Sequence, residues 1–542
     1  MTALLNEETL KQDLGKFPST FDFDSTNLTK DGVKSTIRKL EDDRKHTRKL
    51  DTEDIQINNF LSYLYFVLGN YKHADAYIEE SLQKDPENIT ANANKARFLL
   101  ETGKISDVED IIIKLQKLER REDYYKRKCY AEADLAYAYA RSGPWYHQKA
   151  VDLYTRVLEA YPTEYAWKFG LGLALFRQTH RFISQTNAKL NPRENEKTAV
   201  HSAELFLTVA TESDDPNLRA NAYARLGRAV FNISKNNYTN VPDEIMRLQP
   251  KEYFEKAVEI CPEEPSVLET CGQYARYRGE LDTSEKLLRK SLQIKPTCQA
   301  YHHLALTLKR RVEISRSDAH NKGAYNFSLG ANGDRRGGRY KSGSGQKASQ
   351  NVQGGYGRYG SSCKRDSQNG NRRQKGPSRE CMSDKSERTR RNLRQMIKSP
   401  LKVPVYPGNK HLSEAMELLE KAEELSEYAL NKQYDKGMIC RMLGQIEKAV
   451  EVFKNIVTKK KHYPTEFLMT NVYEQLGLCL LEFSKSVDIS PDIQQKYKKD
   501  GQANLLHAVQ LQSETVANDP QFKEAWNAYP TLKELFSDER NK

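Results

Sequence analysis

Cations and aromatic rings, not thiol clusters or carboxylate pairs, are the groups in this 542-residue chain whose spacing could do chemistry. Arg97, Arg228, Arg276 and Arg310 recur at positions that face one way on helical stretches. Arg141 and Arg177 lie near the ends of two more, with Tyr63, Phe66 and Tyr277 among them. Guanidiniums meet phosphates and rings stack on bases, so a groove lined in this way suits single-stranded nucleic acid. The alternative is that these arginines pair with the equally abundant carboxylates of the same molecule.

Signatures of catalysis are missing. The Gly-rich stretch Gly338–Lys347 has neither the spacing of a phosphate-binding loop nor its strand-to-helix setting. His302 and His303 are adjacent, and neighbours on a helix point about 100° apart, which disfavours a shared metal. One exposed and one packed histidine is the expectation there. The eight cysteines form no CxxC pair and read as free thiols of a reducing compartment. No catalytic residue, metal or cofactor is expected. The polar N-terminus MTALLNEETLKQDLG and the lack of a long apolar run predict a cytoplasmic chain without a membrane span.

A repeated helix pair is the element that would hold such side chains in line. Asn58–Pro86 and Ser266–Pro296 share one plan: an apolar helix, a Gly turn (Gly69, Gly279), a second helix packed through Ala or Ser, and a closing proline. That plan is the tetratricopeptide repeat, whose period is about 34 residues. Ala96, Ala138, Gly172 and Gly227 fall at its small-residue sites, and the first helix of each pair would line a concave face. The expected fold is an all-α tetratricopeptide-repeat superhelix. Its parts are an N-terminal helical cap (1–50), repeats (51–312), a disordered Arg/Gly/Ser-rich insertion (313–408) and further repeats (409–542). Gln299–Val312 lacks its second helix until Leu412–Leu425, so the insertion splits one repeat.

Charge separates the insertion from the repeats. The chain has a net charge of +12, and residues 331–400 alone hold 18 Lys and Arg against 5 Asp and Glu. The remainder is close to neutral. GDRRGGRY and GGYGRYGSS contain almost no aliphatic residues and cannot bury enough surface to offset their ordering entropy. Arg335, Arg336, Arg339, Tyr340, Arg358 and Tyr359 are candidates for nonspecific RNA contact through charge and stacking. The alternative is a solvated loop with no specific partner.

Two blocks are more particular than a generic repeat. YKRKCYAEADLAYAYARSGPWYHQKAVDLYTRVLEAYPTEYAWKFGLGLALFR (Tyr125–Arg177) and LLRKSLQIKPTCQAYHHLALTLKRR (Leu287–Arg311) resemble the interferon-induced proteins with tetratricopeptide repeats, and FPSTFDFD (Phe17–Asp24) resembles that family's aromatic opening. The stretch Leu205–Leu304 is also similar to the tetratricopeptide repeat protein 22 group. The first resemblance implies a cytosolic antiviral protein whose superhelical pocket takes the 5′ end of single-stranded RNA. It places Arg141, Arg177, Arg276 and His303 in that pocket, Lys39 as an N-terminal contact, and Tyr146 or His147 loosely beside the phosphate. Glu269 and Thr270 stand where the family has a basic and an aromatic residue, and a reversed charge there would repel a phosphate. Two functions follow as expectations: a nonenzymatic RNA-binding protein of innate immune type, or a scaffold holding protein partners in the groove with the insertion as a tether.

Overall fold

The computed structural model describes residues 2–23, 28, 30–46, 51–179, 192–329, 403–425, 430–459, 466–486 and 489–517. The candidates Arg335, Arg336, Arg339, Tyr340, Arg358 and Tyr359, and a helix expected near Lys523–Phe536, lie outside the described residues. The chain divides into two compact units, Met1–Glu313 with Ser399–Thr515, and Ile314–Lys398 with Val516–Lys542.

Every regular element among the described residues is helical. After α1 (Thr2–Leu14) and α2 (Lys30–His46), helices alternate as pairs: α3 (Asp51–Val67) with α4 (Tyr71–Lys84), α5 (Ile89–Glu101) with α6 (Ser106–Glu119), and α7 (Tyr124–Arg141) with α8 (His147–Ala160). Next come α9 (Tyr165–Thr179) with α10 (Pro192–Glu212), and α11 (Pro216–Asn236), whose partner α13 (Pro250–Ile260) is delayed by the short α12 (Asp243–Met246). The clean repeat is α14 (Pro265–Arg278) with α15 (Leu281–Ile294). Beyond it lie α16 (Cys298–Leu329), α17 (Lys410–Leu425), α18 (Leu430–Met442), α19 (Ile446–Thr458), α20 (Glu466–Phe483) and α21 (Pro491–Ala517). This is a tetratricopeptide-repeat superhelix.

Local chemistry sets the helix ends. Asn88 caps α5 by accepting from the Ala91 amide at 2.8 Å, and Asp215 accepts from Asn217 and Leu218 ahead of Pro216 in the first turn of α11. Gly69 and Gly279 turn the chain with φ of 75° and 82°, a region that side-chain-bearing residues disfavour.

In several pairs the first helix offers a glycine to a large side chain of the second. A Cβ on Gly172 would stand 2.9 Å from the Phe206 ring, on Gly227 2.9 Å from Phe254, on Gly272 2.7 Å from Leu288, and on Gly437 2.5 Å from Phe453. These contacts set the distance between the two helices.

The N-terminal segment is stitched onto the first repeats. Leu10, Leu14 and Phe17 enter the same core as Ala74, Ile78 and Phe98. Arg97, expected in the groove, instead donates to the carbonyls of Leu14 (2.8 Å) and Phe17 (3.2 Å) and pairs with Asp22. Tyr63 is also withdrawn: it is buried, and its hydroxyl donates to the Phe23 carbonyl at 2.9 Å. Phe66 packs on Phe21, Tyr71 and Phe98. Register along α3 and α5 could not reveal that an N-terminal segment folds over these positions.

The split repeat closes as expected. Leu304, Leu308 and Val312 of α16 share a core with Leu412, Ala415 and Leu419 of α17, and Arg289 reaches Glu414 at 2.6 Å. α16 nevertheless runs on to Leu329, past the expected start of the insertion.

Gly437→Ala forces a methyl against the buried Phe453 ring, and overpacking of this kind costs about 1–3 kcal/mol, offset by up to about 1 kcal/mol of helix propensity. Chemical denaturation should show a net loss for Gly437→Ala, with part of it restored when Phe453→Leu is added.

Candidate functional site

Seven cations from six helices act electrostatically on one another or on the same histidine, His303. Arg141 of α7 and Arg177 of α9 are neighbours: the Arg177 guanidinium donates to the Ala140 carbonyl at 2.6 Å, and Arg141 lies over the Tyr137 ring at 4.5 Å. Burial first, and then Arg141, push the Arg177 pKa down to about 10. Arg225 of α11 is pushed to about 10 as well, by burial and then by Arg228 and Arg177. Arg228 lies over Phe176 at 5.4 Å, and burial lowers its pKa. Arg276 of α14 lies over the exposed ring of Tyr277 at 4.7 Å, and its buried Nε has no hydrogen-bond partner among the described residues.

Lys39 of α2 joins this group from the N-terminal cap. Its side chain is exposed to solvent, yet protein surrounds it closely enough for desolvation to be the first cause of its lowered pKa. Both hold for a side chain standing inside a hollow. The next causes are Lys432, and then Arg141 and Arg177, with the nearby Cys298 opposing them. Lys432 of α18 is itself buried, with Nζ against the Cys298 Sγ.

His303 of α16 is 9% exposed, and its Nδ1 finds no hydrogen-bond partner among the described residues. Burial holds it neutral, with its pKa well below the usual histidine value, and Arg276, His302, Arg228 and Lys432 add to the effect. His302 corrects the expectation of one exposed histidine. Both rings are buried and stacked 5.8 Å apart, and His302 Nε2 sits 2.9 Å from Asp435, which Lys309 also approaches at 3.5 Å.

The structure thus brings together Lys39, Arg141, Arg177, Arg228, Arg276 and His303 and adds Arg225 and Lys432, which the sequence reading missed. Arg225 had a signal, since it precedes Arg228 by three residues on one helix and so shares its face. Lys432 had none, because it opens a helix beyond the insertion and nothing local ties it to Lys39. Arg310 is engaged elsewhere, pairing with Glu313 at 3.0 Å on its own half-exposed stretch of helix. Tyr146 and His147 are buried, and Tyr146 packs against Phe23 and Tyr139 as core. Glu269 faces the cations Arg225 and Arg228, and its Oε2 accepts from the Thr297 hydroxyl at 3.0 Å.

Among the described residues no three His, Cys, Asp or Glu side chains are placed to hold a metal ion, and no helix is long and apolar enough to cross a membrane. The cysteines 129, 261, 271, 298, 440 and 479 are free thiols.

Known proteins agree with this architecture. The tetratricopeptide-repeat family model matches residues 55–88, which form α3 and α4. No curated protein matches the sequence. Among solved structures, a monomeric IFIT1 mutant with Gppp-AAAA superposes with a TM-score of 0.59, and the human IFIT1 dimer with m7Gppp-AAAA with 0.58. Each is 14% identical and covers 98% of this chain and 92% of its own. The human IFIT1 dimer with PPP-AAAA gives 0.55 at the same identity and coverage. At that identity the likeness is one of fold, an IFIT-like tetratricopeptide-repeat superhelix.

Like charges gathered in a confined space repel one another, so thinning them should stabilise the fold. Arg225→Gln should raise thermal stability by about 1 kcal/mol at low ionic strength. The gain should shrink as salt screens the remaining cations.

Proposed function

We propose that this protein is a nonenzymatic binding protein that takes single-stranded RNA into the hollow of its superhelix. The supporting observation is the convergence of Lys39, Arg141, Arg177, Arg225, Arg228, Arg276 and Lys432, with Glu269 the carboxylate that acts on Arg225 and Arg228. Such a cluster is costly until an anion enters, and a phosphate backbone supplies charges at intervals along a groove. The exposed Tyr277 ring beside Arg276 offers a face for a base, a contact open to a single strand and closed to stacked pairs. IFIT1, whose fold is similar, has been solved with short capped and triphosphorylated oligonucleotides. Arg335, Arg336, Arg339, Tyr340, Arg358 and Tyr359 add attraction without sequence preference in this reading. The cytosolic, antiviral setting implied by the family resemblance belongs to the same proposal.

Fluorescence anisotropy with a labelled single-stranded RNA tests it. Binding should be tighter than for the corresponding duplex and should weaken steeply with salt. Arg177→Ala with Arg228→Ala should cost roughly tenfold or more and reduce the salt slope by about 2. Deleting residues 330–399 should cost less. If the double variant binds normally while the deletion abolishes binding, the hollow is not the site. Selective capture of an acidic peptide instead of RNA would favour the scaffold reading.

A further inference from the structure

Among the cations of the hollow stands one group that is not charged. His303 is buried, its Nδ1 is unpartnered among the described residues, and cations approach it from three neighbouring helices: Arg276 from α14, Arg228 from α11 and Lys432 from α18. Its own helix contributes His302, which is occupied by Asp435 of α18, as is Lys309. α15 packs on α16 through Ser284 and Leu288, and its charged Asp282 and Glu285 are paired to Arg311. Glu414 of α17 is paired to Arg289. Glu269 of α14 acts on Arg225 and Arg228 and is held by Thr297. The balance of charge that His303 meets is therefore positive.

We propose that the hollow takes up a proton at His303 when a polyanion fills it, so that binding and protonation are linked. This rests on the reading of the hollow as a polyanion site and deepens it by assigning how the site is regulated. In the empty hollow, burial and the surrounding cations keep the imidazole neutral. Phosphates among Arg276, Arg228 and Lys432 offset those cations, so the imidazolium becomes less costly in the complex than in the free protein. The sign follows. A group whose pKa rises on binding takes up protons between its free and bound values, and affinity in that window increases as pH falls. The limit is tenfold per pH unit for one proton.

The probe is a 5′-hydroxyl oligouridylate, whose diester phosphates and bases do not titrate near neutrality. Isothermal titration calorimetry of the full chain at about pH 6, in buffers of different ionisation enthalpy, counts the protons taken up. Asp134 titrates in the same range, since burial pushes its carboxyl up to about 6, so the variant His303→Gln is needed to assign the uptake. The expected result is uptake of a fraction of a proton to one proton, a rise in affinity of about three- to tenfold from pH 7.5 to 5.5, and loss of both in His303→Gln. A folded His303→Gln that keeps the same uptake overturns the proposal, as does RNA binding with no uptake in the wild type. If His303→Gln does not fold, the imidazole resonance of His303 in selectively labelled wild type decides, because its pKa must rise on adding the oligouridylate. Absence of any RNA binding would instead refute the underlying reading and this inference with it.

Discussion

The contact between a glycine of one helix and a bulky side chain of the next governs how several helix pairs of this molecule are built. Gly172 with Phe206, Gly227 with Phe254, Gly272 with Leu288 and Gly437 with Phe453 repeat one solution to one problem, how near two helices approach. Because the first helix of a pair meets its partner through that glycine, its remaining faces are committed too. One stacks on the next pair, and another is left for the hollow. Arg225 and Arg228 flank Gly227 on a single helix, so the spacing that packs α11 also aims its guanidiniums.

A cluster of cations that repel one another is tolerated only because the scaffold is held elsewhere. The cores that carry these helices are apolar, and the guanidiniums of Arg228, Arg141 and Arg276 lie over the rings of Phe176, Tyr137 and Tyr277. Arg97 shows the contrasting fate. With Asp22 and two carbonyls at hand it became a clasp for the N-terminal cap, and its charge is consumed within the fold. Arg177, by contrast, meets the Ala140 carbonyl and the neighbouring cation Arg141.

The repeat plan was legible in the sequence because it is local. Turn glycines, closing prolines and small residues at helix contacts recur within a few dozen residues, and they placed the helix pairs, including the match of α16 with α17 across the insertion. Membership of the cation cluster was legible only in part. Arg228 and Arg276 follow from register and Arg177 from its place near a helix end and the family resemblance, whereas Lys432 depends on α18 arriving beside α16, a relation no local window contains. Arg97, Tyr63 and Phe66 were misread for the same reason in reverse: an N-terminal segment covers them. Glu269 was visible as a departure from the family pattern, and the structure gives it neighbours, Arg225 and Arg228, that a family comparison alone does not.

The split repeat has a mechanical consequence. α16 and α17 are joined through residues 330–402, but what holds them side by side is the core of Leu304, Leu308, Leu412 and Leu419, with α17 also bridged to α15 by Arg289–Glu414 and α16 drawn to α18 by Asp435 acting on His302 and Lys309. Closing a loop costs entropy that grows only with the logarithm of its length, so a connection this long weakens the pairing of its two ends little more than a short turn would. Cutting it would turn an intramolecular contact into a bimolecular one, so the two fragments would stay together only above a threshold concentration set by the contacts between them.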